Sequence, residues 1–201
     1  MDFTLRAANV DDCKDIARMI VVRLAGGHAT LVPTAGQRRC FAAASDGLGP
    51  PPRVPRGDRN ASGVTFQGHI YLEQDGFCKN PFFHGIIAEV PEHLKSKEGH
   101  TKIGYAIYFY SWSSSSGRGI YMEDLYVMPE FRGKGIGKAL MSKVAQLGLA
   151  AGCTQLNFTV LDWNKPSLEF YFHQGCYDFT AESGYHLMRC EGEALEKLAQ
   201  P

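Results

Sequence analysis

The chain has 201 residues, 44% of them hydrophobic, which is enough for one medium-sized domain with its own core. Its 21 basic and 21 acidic residues cancel, so no global field marks it as a nucleic-acid binder. No uninterrupted apolar run approaches membrane-spanning length and the N-terminus lacks a basic region followed by an apolar core, so no membrane partner and a cytoplasmic location are expected.

Phe3, Leu5 and Ala7 alternate as a short strand does, and Asp11 and Asp12 suit the start of a helix carrying Ile16, Met19, Ile20 and Leu24. Residues 25–65 break this order. Gly26, Gly27, Gly36, Gly47 and Gly49 with Pro50, Pro51, Pro52 and Pro55 punctuate the segment, while Arg38, Arg39, Arg53, Arg56 and Arg59 give it basic character. That composition predicts a flexible insertion within the single domain 1–201, either merely solvated or contacting anions. Strands are expected at Gly85–Val90, Ile103–Ser111 and Gly119–Met128, where branched and aromatic residues concentrate. A further strand at Leu156–Leu161, a short helix at Pro166–His173 and a closing strand at Tyr185–Cys190 precede a polar tail. The order predicts a mixed α/β fold rather than a helical bundle or a pure barrel.

The chemistry centres on Arg132, Gly133, Lys134, Gly135, Ile136 and Gly137, which join the strand ending at Met128 to an amphipathic segment. Pro129 removes a ladder donor and ends the strand. From Lys134 onward, Ile136, Ala139, Leu140, Val144, Leu147 and Ala150 recur at spacings of three and four, as on a helix with one buried stripe, and Gly148 and Gly152 mark its end. Closely spaced glycines let backbone N–H groups approach phosphate oxygens, and the helix dipole and Arg132 add favourable charge. A pyrophosphate fits this placement; an ordinary glycine turn with a solvated arginine is the alternative. The pattern is neither a nucleoside-triphosphate loop nor a dinucleotide fingerprint, because the spacing and the following ribose-binding acid are missing.

Two acids precede the loop. Strand alternation predicts Tyr121, Glu123 and Leu125 on one face and Met122, Asp124 and Tyr126 on the other. Glu123 suits a proton acceptor, direct or through water, for an ammonium substrate, and Asp124 suits orientation of a cation; two carboxylates at a solvated strand edge give the same pattern. After the next strand, Asn164 suits a helix cap or a cofactor amide, and Tyr171 either presents its hydroxyl to the reacting centre or fills core space with Phe170 and Phe172. The cysteines and histidines form no short ligand motif, so no metal is expected.

Taken together, Asp75-Gly76-Phe77 through Glu89-Val90, Tyr121-Met122-Glu123-Asp124 through Gly137, and Leu161-Asp162-Trp163-Asn164 through Tyr171 closely resemble the GNAT acyltransferase superfamily. Within it they resemble the diamine and thialysine acetyltransferases, over most of residues 1–24 and 66–197. The resemblance implies a mainly antiparallel central sheet flanked by helices and acetyl-coenzyme A as acetyl donor. Arg132, Gly135 and Gly137 then match the pyrophosphate loop, with Gly133, Lys134, Ile136 and Lys138 also available to the cofactor. Backbone groups of Leu125, Tyr126 and Val127 would hold the acetyl-pantetheine arm. Glu123 matches the acid associated with substrate deprotonation, Tyr171 the residue that protonates the departing thiolate, Asn164 a polar cofactor-side position and Asp124 a substrate-side acid.

The implied reaction is direct attack of a small primary amine on the thioester in a ternary complex, by a soluble homodimer. Polyamine-selective relatives carry an acid matching Ser113 and an aromatic residue near Ser115, whereas this chain has Ser111-Trp112-Ser113-Ser114-Ser115-Ser116. The lower negative charge favours thialysine or a similar amino-acid amine. Relatives also carry an acidic helix-loop after the first helix, where residues 25–65 here are rich in glycine, proline and arginine. The competing expectations are a diamine/polyamine acetyltransferase, a catalytically weak CoA-binding or interaction protein, and a protein lysine N-acetyltransferase.

Overall fold

The computed structural model describes residues 1–26, 71–184 and 187–200. Of the expected insertion, residues 27–65 lie outside the described residues; Ala25 and Gly26 still belong to the first helix. The described residues pack as two compact units, one of residues 1–26 and 71–158, the other of residues from 159 onward.

In the first unit, Thr4–Ala7 forms β1, Cys13–Gly26 forms α1 and residues 71–76 form a helical segment, α2. Strands β2 (His84–Glu89), β3 (Lys102–Ser113) and β4 (Gly117–Val127) follow, then α3 (Ile136–Ala150) and β5 (Gln155–Asn157). The five strands lie in sheet order β1-β2-β3-β4-β5, antiparallel throughout except for the parallel β4–β5 pair. The mixed, mainly antiparallel sheet is therefore present as expected.

Helix α3 covers one face. Ile136, Leu140, Met141, Val144 and Gly148 make its buried stripe, and complete burial of each large aliphatic side chain contributes about 1.5–3 kcal/mol. Gly148 lets α3 come close: a Cβ there would lie 2.8 Å from Ile120 Cγ2 on β4. Helix α1 covers the opposite face through Ile16 and Met19, both fully buried.

The start of α1 is tied to the sheet by charge. Asn9 accepts the Asp11 N–H, the Asp12 carboxylate accepts the Asn9 N–H, and the two close a capping box. Arg6 on β1 donates to both Asp12 oxygens at 2.7 and 2.8 Å, and Lys102 on β3 lies 3.0 Å from the same carboxylate. Burial of Asp12 opposes its ionisation, but the hydrogen bonds from Arg6, the Asn9 N–H and Lys102 outweigh it and hold the carboxyl far below the usual range. Asp12→Asn is accordingly expected to lower unfolding free energy by about 2 kcal/mol at neutral pH, because Arg6 and Lys102 each lose one of two carboxylate partners and keep only Glu89 and Asp15. A depressed folded pKa gives stability that is full above the unfolded value and is lost as pH falls. The gap between wild type and variant in urea melts should thus narrow on going from neutral pH to about pH 3.

In the second unit, α4 (Lys165–His173), α5 (Phe179–Ser183) and α6 (Glu193–Leu198) follow one another. Three expectations change. The strand predicted to Leu161 stops at Asn157, because a strand lasts only where it has a partner and the pairing of β4 with β5 runs from Gly119 only as far as Tyr121. Residues 187–190 carry no strand, and Tyr185 and His186 lie outside the described residues. The polar tail after them carries α6, and ahead of the expected strand Asp178 accepts the Ala181 N–H at 3.1 Å and caps α5.

Candidate active site

Strand β4 is bulged at its centre. Ile107 of β3 pairs with Asp124 and the next residue, Tyr108, pairs with Met122, which leaves Glu123 as the extra residue. Paired residues share a face of the sheet. Tyr121 therefore shares the α1 face with Asp124 and Tyr126, and stacks on Phe109 at 5.0 Å, while Met122 joins Leu125 on the α3 face. This corrects the unbroken alternation expected from sequence, which grouped Tyr121 with Leu125 and Met122 with Asp124. The extra residue shifts the register by one, and every side chain beyond it changes sides.

The bulge also marks where the sheet opens. The parallel ladder joins Gly119, Ile120 and Tyr121 to β5 and then ends, although β4 runs on to Val127. From Met122 onward one flank of β4 has no strand partner among the described residues. Leu125, Tyr126 and Val127 lie on this open stretch, Leu125 and Val127 half-buried and Tyr126 buried. The Val127 carbonyl accepts from Arg132 Nε at 2.9 Å.

Glu123 is half-buried, and its buried Oε2 has no hydrogen-bond partner among the described residues. Burial, reinforced by the neighbouring Asp124 charge and only partly offset by Arg23, pushes its carboxyl up to about 7. A carboxylate of that basicity exchanges protons near neutral pH, as a general base must.

Asp124 differs from Glu123 in every respect that matters. It is 8% exposed, and both oxygens are engaged: Tyr105 donates its hydroxyl to Oδ2 at 2.6 Å and Arg23 lies 3.1 Å from Oδ1. Burial raises the Asp124 carboxyl, opposed by Arg23, Tyr105 and the Leu125 N–H. Burial likewise raises the Tyr105 hydroxyl, with the Asp124 charge adding to it, so this tyrosine stays protonated and donating. Sequence reasoning named neither Arg23 nor Tyr105. A signal for Arg23 was present: Ile16, Met19 and Arg23 recur at spacings of three and four, which sets a cation on the buried stripe of α1 and calls for a buried anion opposite.

The glycine loop has the geometry of an anion cradle. Pro129–Phe131 forms one 3-10 turn and Phe131 is buried, which anchors the loop. Gly133 and Gly135 have φ of 71° and 81°, a region that L side chains avoid, and none of the described residues lies within 4 Å of where their Cβ atoms would stand. Gly135 caps α3, so the helix starts at Ile136 rather than at Lys134, and among the described residues no side chain caps its first turn. The first closing bond runs from the Ala139 N–H to Gly135, leaving the N–H groups of Ile136, Gly137 and Lys138 ahead of it at the positive end of a 15-residue helix. Arg132, Lys134 and Lys138 are exposed around this point, with Lys134 Nζ donating to the Glu130 carbonyl at 2.9 Å. Ile136 is 1% exposed, so only its backbone faces the loop. A diphosphate fits this donor set.

Asn164 and Tyr171 belong to the second unit. Asn164 occupies the N-cap position of α4, but its side chain makes no capping bond, and its carbonyl accepts from Ser167 and Leu168 instead. The amide is thus not spent on the cap as expected. Tyr171 is half-buried beside Phe170, rings edge to face at 5.2 Å, and no residue of α4 is fully buried. Among the described residues no cluster of His, Cys, Asp and Glu could hold a metal, and no helix is long and apolar enough to cross a membrane.

Residues 68–176 match the acetyltransferase (GNAT) family. The thialysine N-epsilon-acetyltransferase of Bos taurus is 44% identical over 128 residues, which is 64% of this chain and 75% of that protein. The human spermidine/spermine N(1)-acetyltransferase-like protein 1 is 35% identical over 128 residues, 64% of this chain and 18% of that protein. An integron cassette protein of V. cholerae superposes with a TM-score of 0.65 at 23% identity, covering 100% of this chain and 99% of that one, and so shares the fold. A ribosomal-protein-alanine N-acetyltransferase from Brucella melitensis does so with a TM-score of 0.57 at 15% identity, over 94% and 100%. With a β4–β5 ladder that ends at Tyr121, a glycine-led helix α3 and these relatives, the chain belongs to the acetyltransferase (GNAT) family, close to its thialysine and spermidine/spermine acetyltransferase branch.

Proposed function

We propose that this protein transfers the acetyl group of acetyl-CoA to the primary amine of thialysine or a related amino-acid amine, by direct attack within a ternary complex. The observation that carries the reading is Glu123: a proton-accepting carboxylate near pH 7, with an oxygen that has no partner among the described residues, on a bulge beside the open flank of β4. Acetyl-CoA, when bound, supplies a thioester-activated acetyl group. The first-turn N–H groups of α3, with Arg132, Gly133, Lys134, Gly135, Gly137 and Lys138, would hold its diphosphate, and the backbone of Leu125, Tyr126 and Val127 its pantetheine arm. The Asn164 amide would add a cofactor-side hydrogen bond.

Glu123 takes a proton from the substrate ammonium, because attack needs a nitrogen lone pair. Tyr171, by the resemblance, would supply its phenolic proton to the departing thiolate. A thiolate is a good leaving group and needs little acid assistance, so Tyr171→Phe is expected to lower kcat only about tenfold, below the usual range for acid–base groups. Single-turnover kinetics at constant saturation would register this loss. An unchanged kcat would assign the proton to another donor.

Thialysine is preferred over polyamines on a specific ground. The Ser113 and Ser115 hydroxyls bond one another at 2.9 Å, so this stretch offers hydroxyls where polyamine-selective relatives carry an acid. Homodimerisation and action in the cytoplasm complete the proposal. The decisive assay combines acetyl-CoA with thialysine, diamines, polyamines and lysine peptides and identifies the acetylated product by mass. Thiol release without acetylated product would reduce the protein to cofactor binding or hydrolysis, and acetylated peptide alone would make it a protein lysine acetyltransferase.

A further inference from the structure

The second acid of the site already has a cation, supplied from within the fold. Arg23 Nη1 lies 3.1 Å from Asp124 Oδ1, and the other oxygen takes the Tyr105 hydroxyl at 2.6 Å. Asp124 is 8% exposed, so a substrate ammonium reaches it only by displacing Arg23. The Arg23 side chain itself is 41% exposed, so part of its five-donor fork faces solvent, and it is near enough to favour the ionised form of Glu123.

We infer that Arg23 fixes the charge allowed at the far end of the acceptor: with Asp124 held as an internal ion pair, the site rejects a second ammonium that no carboxylate accompanies and takes a neutral, zwitterionic or carboxylate-bearing tail. This rests on the proposed function and deepens it. A second ammonium would meet the guanidinium as a like charge in a partly desolvated site, whereas a carboxylate would find planar paired donors suited to it. An amino-acid amine presents that carboxylate beside its α-ammonium, a tail of no net charge; a diamine presents the repelled charge alone. The cation that discriminates between them comes from α1, and the acid it neutralises comes from β4.

Three acceptors of equal carbon count separate the cases: δ-aminovalerate with a distal carboxylate, pentylamine with a methyl, and cadaverine with a second ammonium. At mildly alkaline pH, where Glu123 is ionised, wild-type kcat/KM should fall in that order. Arg23→Gln frees Asp124 and should raise the cadaverine-to-aminovalerate ratio at least about tenfold, chiefly through KM. Arg23→Lys keeps the charge and should keep the wild-type order; Arg23→Met replaces the Gln variant if the latter fails to fold. A merely structural role would lower all three acceptors alike, and an unchanged ratio, or a wild-type preference for cadaverine, overturns the inference. If no amine is acetylated by wild type, the proposed function is what falls. Calorimetric titration of the same three amines then decides the inference separately, equal binding of all three overturning it.

Discussion

Glu123→Gln is expected to lower kcat about a thousandfold while leaving acetyl-CoA binding intact, because general-base assistance of this kind contributes roughly two to four orders of magnitude. The side chain keeps its size and loses only its proton affinity, so the loss reports chemistry rather than packing. The pH profile supplies an independent check. With its carboxyl pushed up to about 7, Glu123 is protonated and inactive in acid, so wild-type kcat/KM should rise as pH passes through about 7. In the variant that limb should vanish.

Stability moves the opposite way. A carboxyl whose folded value lies above its ordinary 4.5 favours the fold while neutral; that contribution is full below 4.5 and is lost as pH rises through about 7. Glutamine is neutral throughout. The variant should consequently melt at a higher temperature than wild type above pH 7 and converge with it in acid. A variant both slower and more stable at alkaline pH is the signature of a carboxylate held out of water for function. Equal stability at every pH would mean that Glu123 is better solvated than its surroundings suggest.

The second large effect lies in the cofactor cradle. The paired change Arg132→Ala with Gly135→Ala should weaken acetyl-CoA binding by about two orders of magnitude or more, since hydrogen bonds to charged groups contribute roughly 1.5–3 kcal/mol each. Arg132 is anchored by its Nε on the Val127 carbonyl, which leaves the rest of the guanidinium to face an anion. At Gly135 the obstacle is conformational. No neighbour would touch an added methyl, but φ of 81° costs a residue with a Cβ about 1–2 kcal/mol, so the loop would relax and turn the first N–H groups of α3 away. Isothermal titration with CoA reads the loss directly. Retained affinity would remove the diphosphate from this loop and with it the basis of the mechanism.

The two variants also separate the halves of the site. Loss of binding with intact chemistry at saturation belongs to the loop; loss of chemistry with intact binding belongs to the bulge.

Much of this was legible in the residues. The run from Gly119 to Met128 showed a strand, Pro129 its end, and the spacing of Ile136, Leu140 and Val144 a helix with one apolar stripe; all three stand where local preference put them. The glycine loop between them was equally legible, because positive φ is a demand that glycine alone meets without strain. Local signals of this kind need no knowledge of distant chain.

What sequence could not show is whatever depends on a partner across space. Whether Leu156–Leu161 stays a strand is decided by whether β4 remains beside it, and the pairing ends at Tyr121. The bulge at Glu123 is a mismatch of count between β3 and β4, and neither strand reveals it alone. Glu123 and Asp124 are adjacent acids of similar chemistry in the chain. Only the fold separates them, by bringing Arg23 from α1 and Tyr105 from β3 to one carboxylate and nothing among the described residues to the Oε2 of the other. Residue types and spacing thus determined the family, the strand-loop-helix and the inventory of acids. Proton affinity and charge balance were left to tertiary structure, because both are set by burial and by the nearest opposite charge, and those are properties of packing rather than of sequence order.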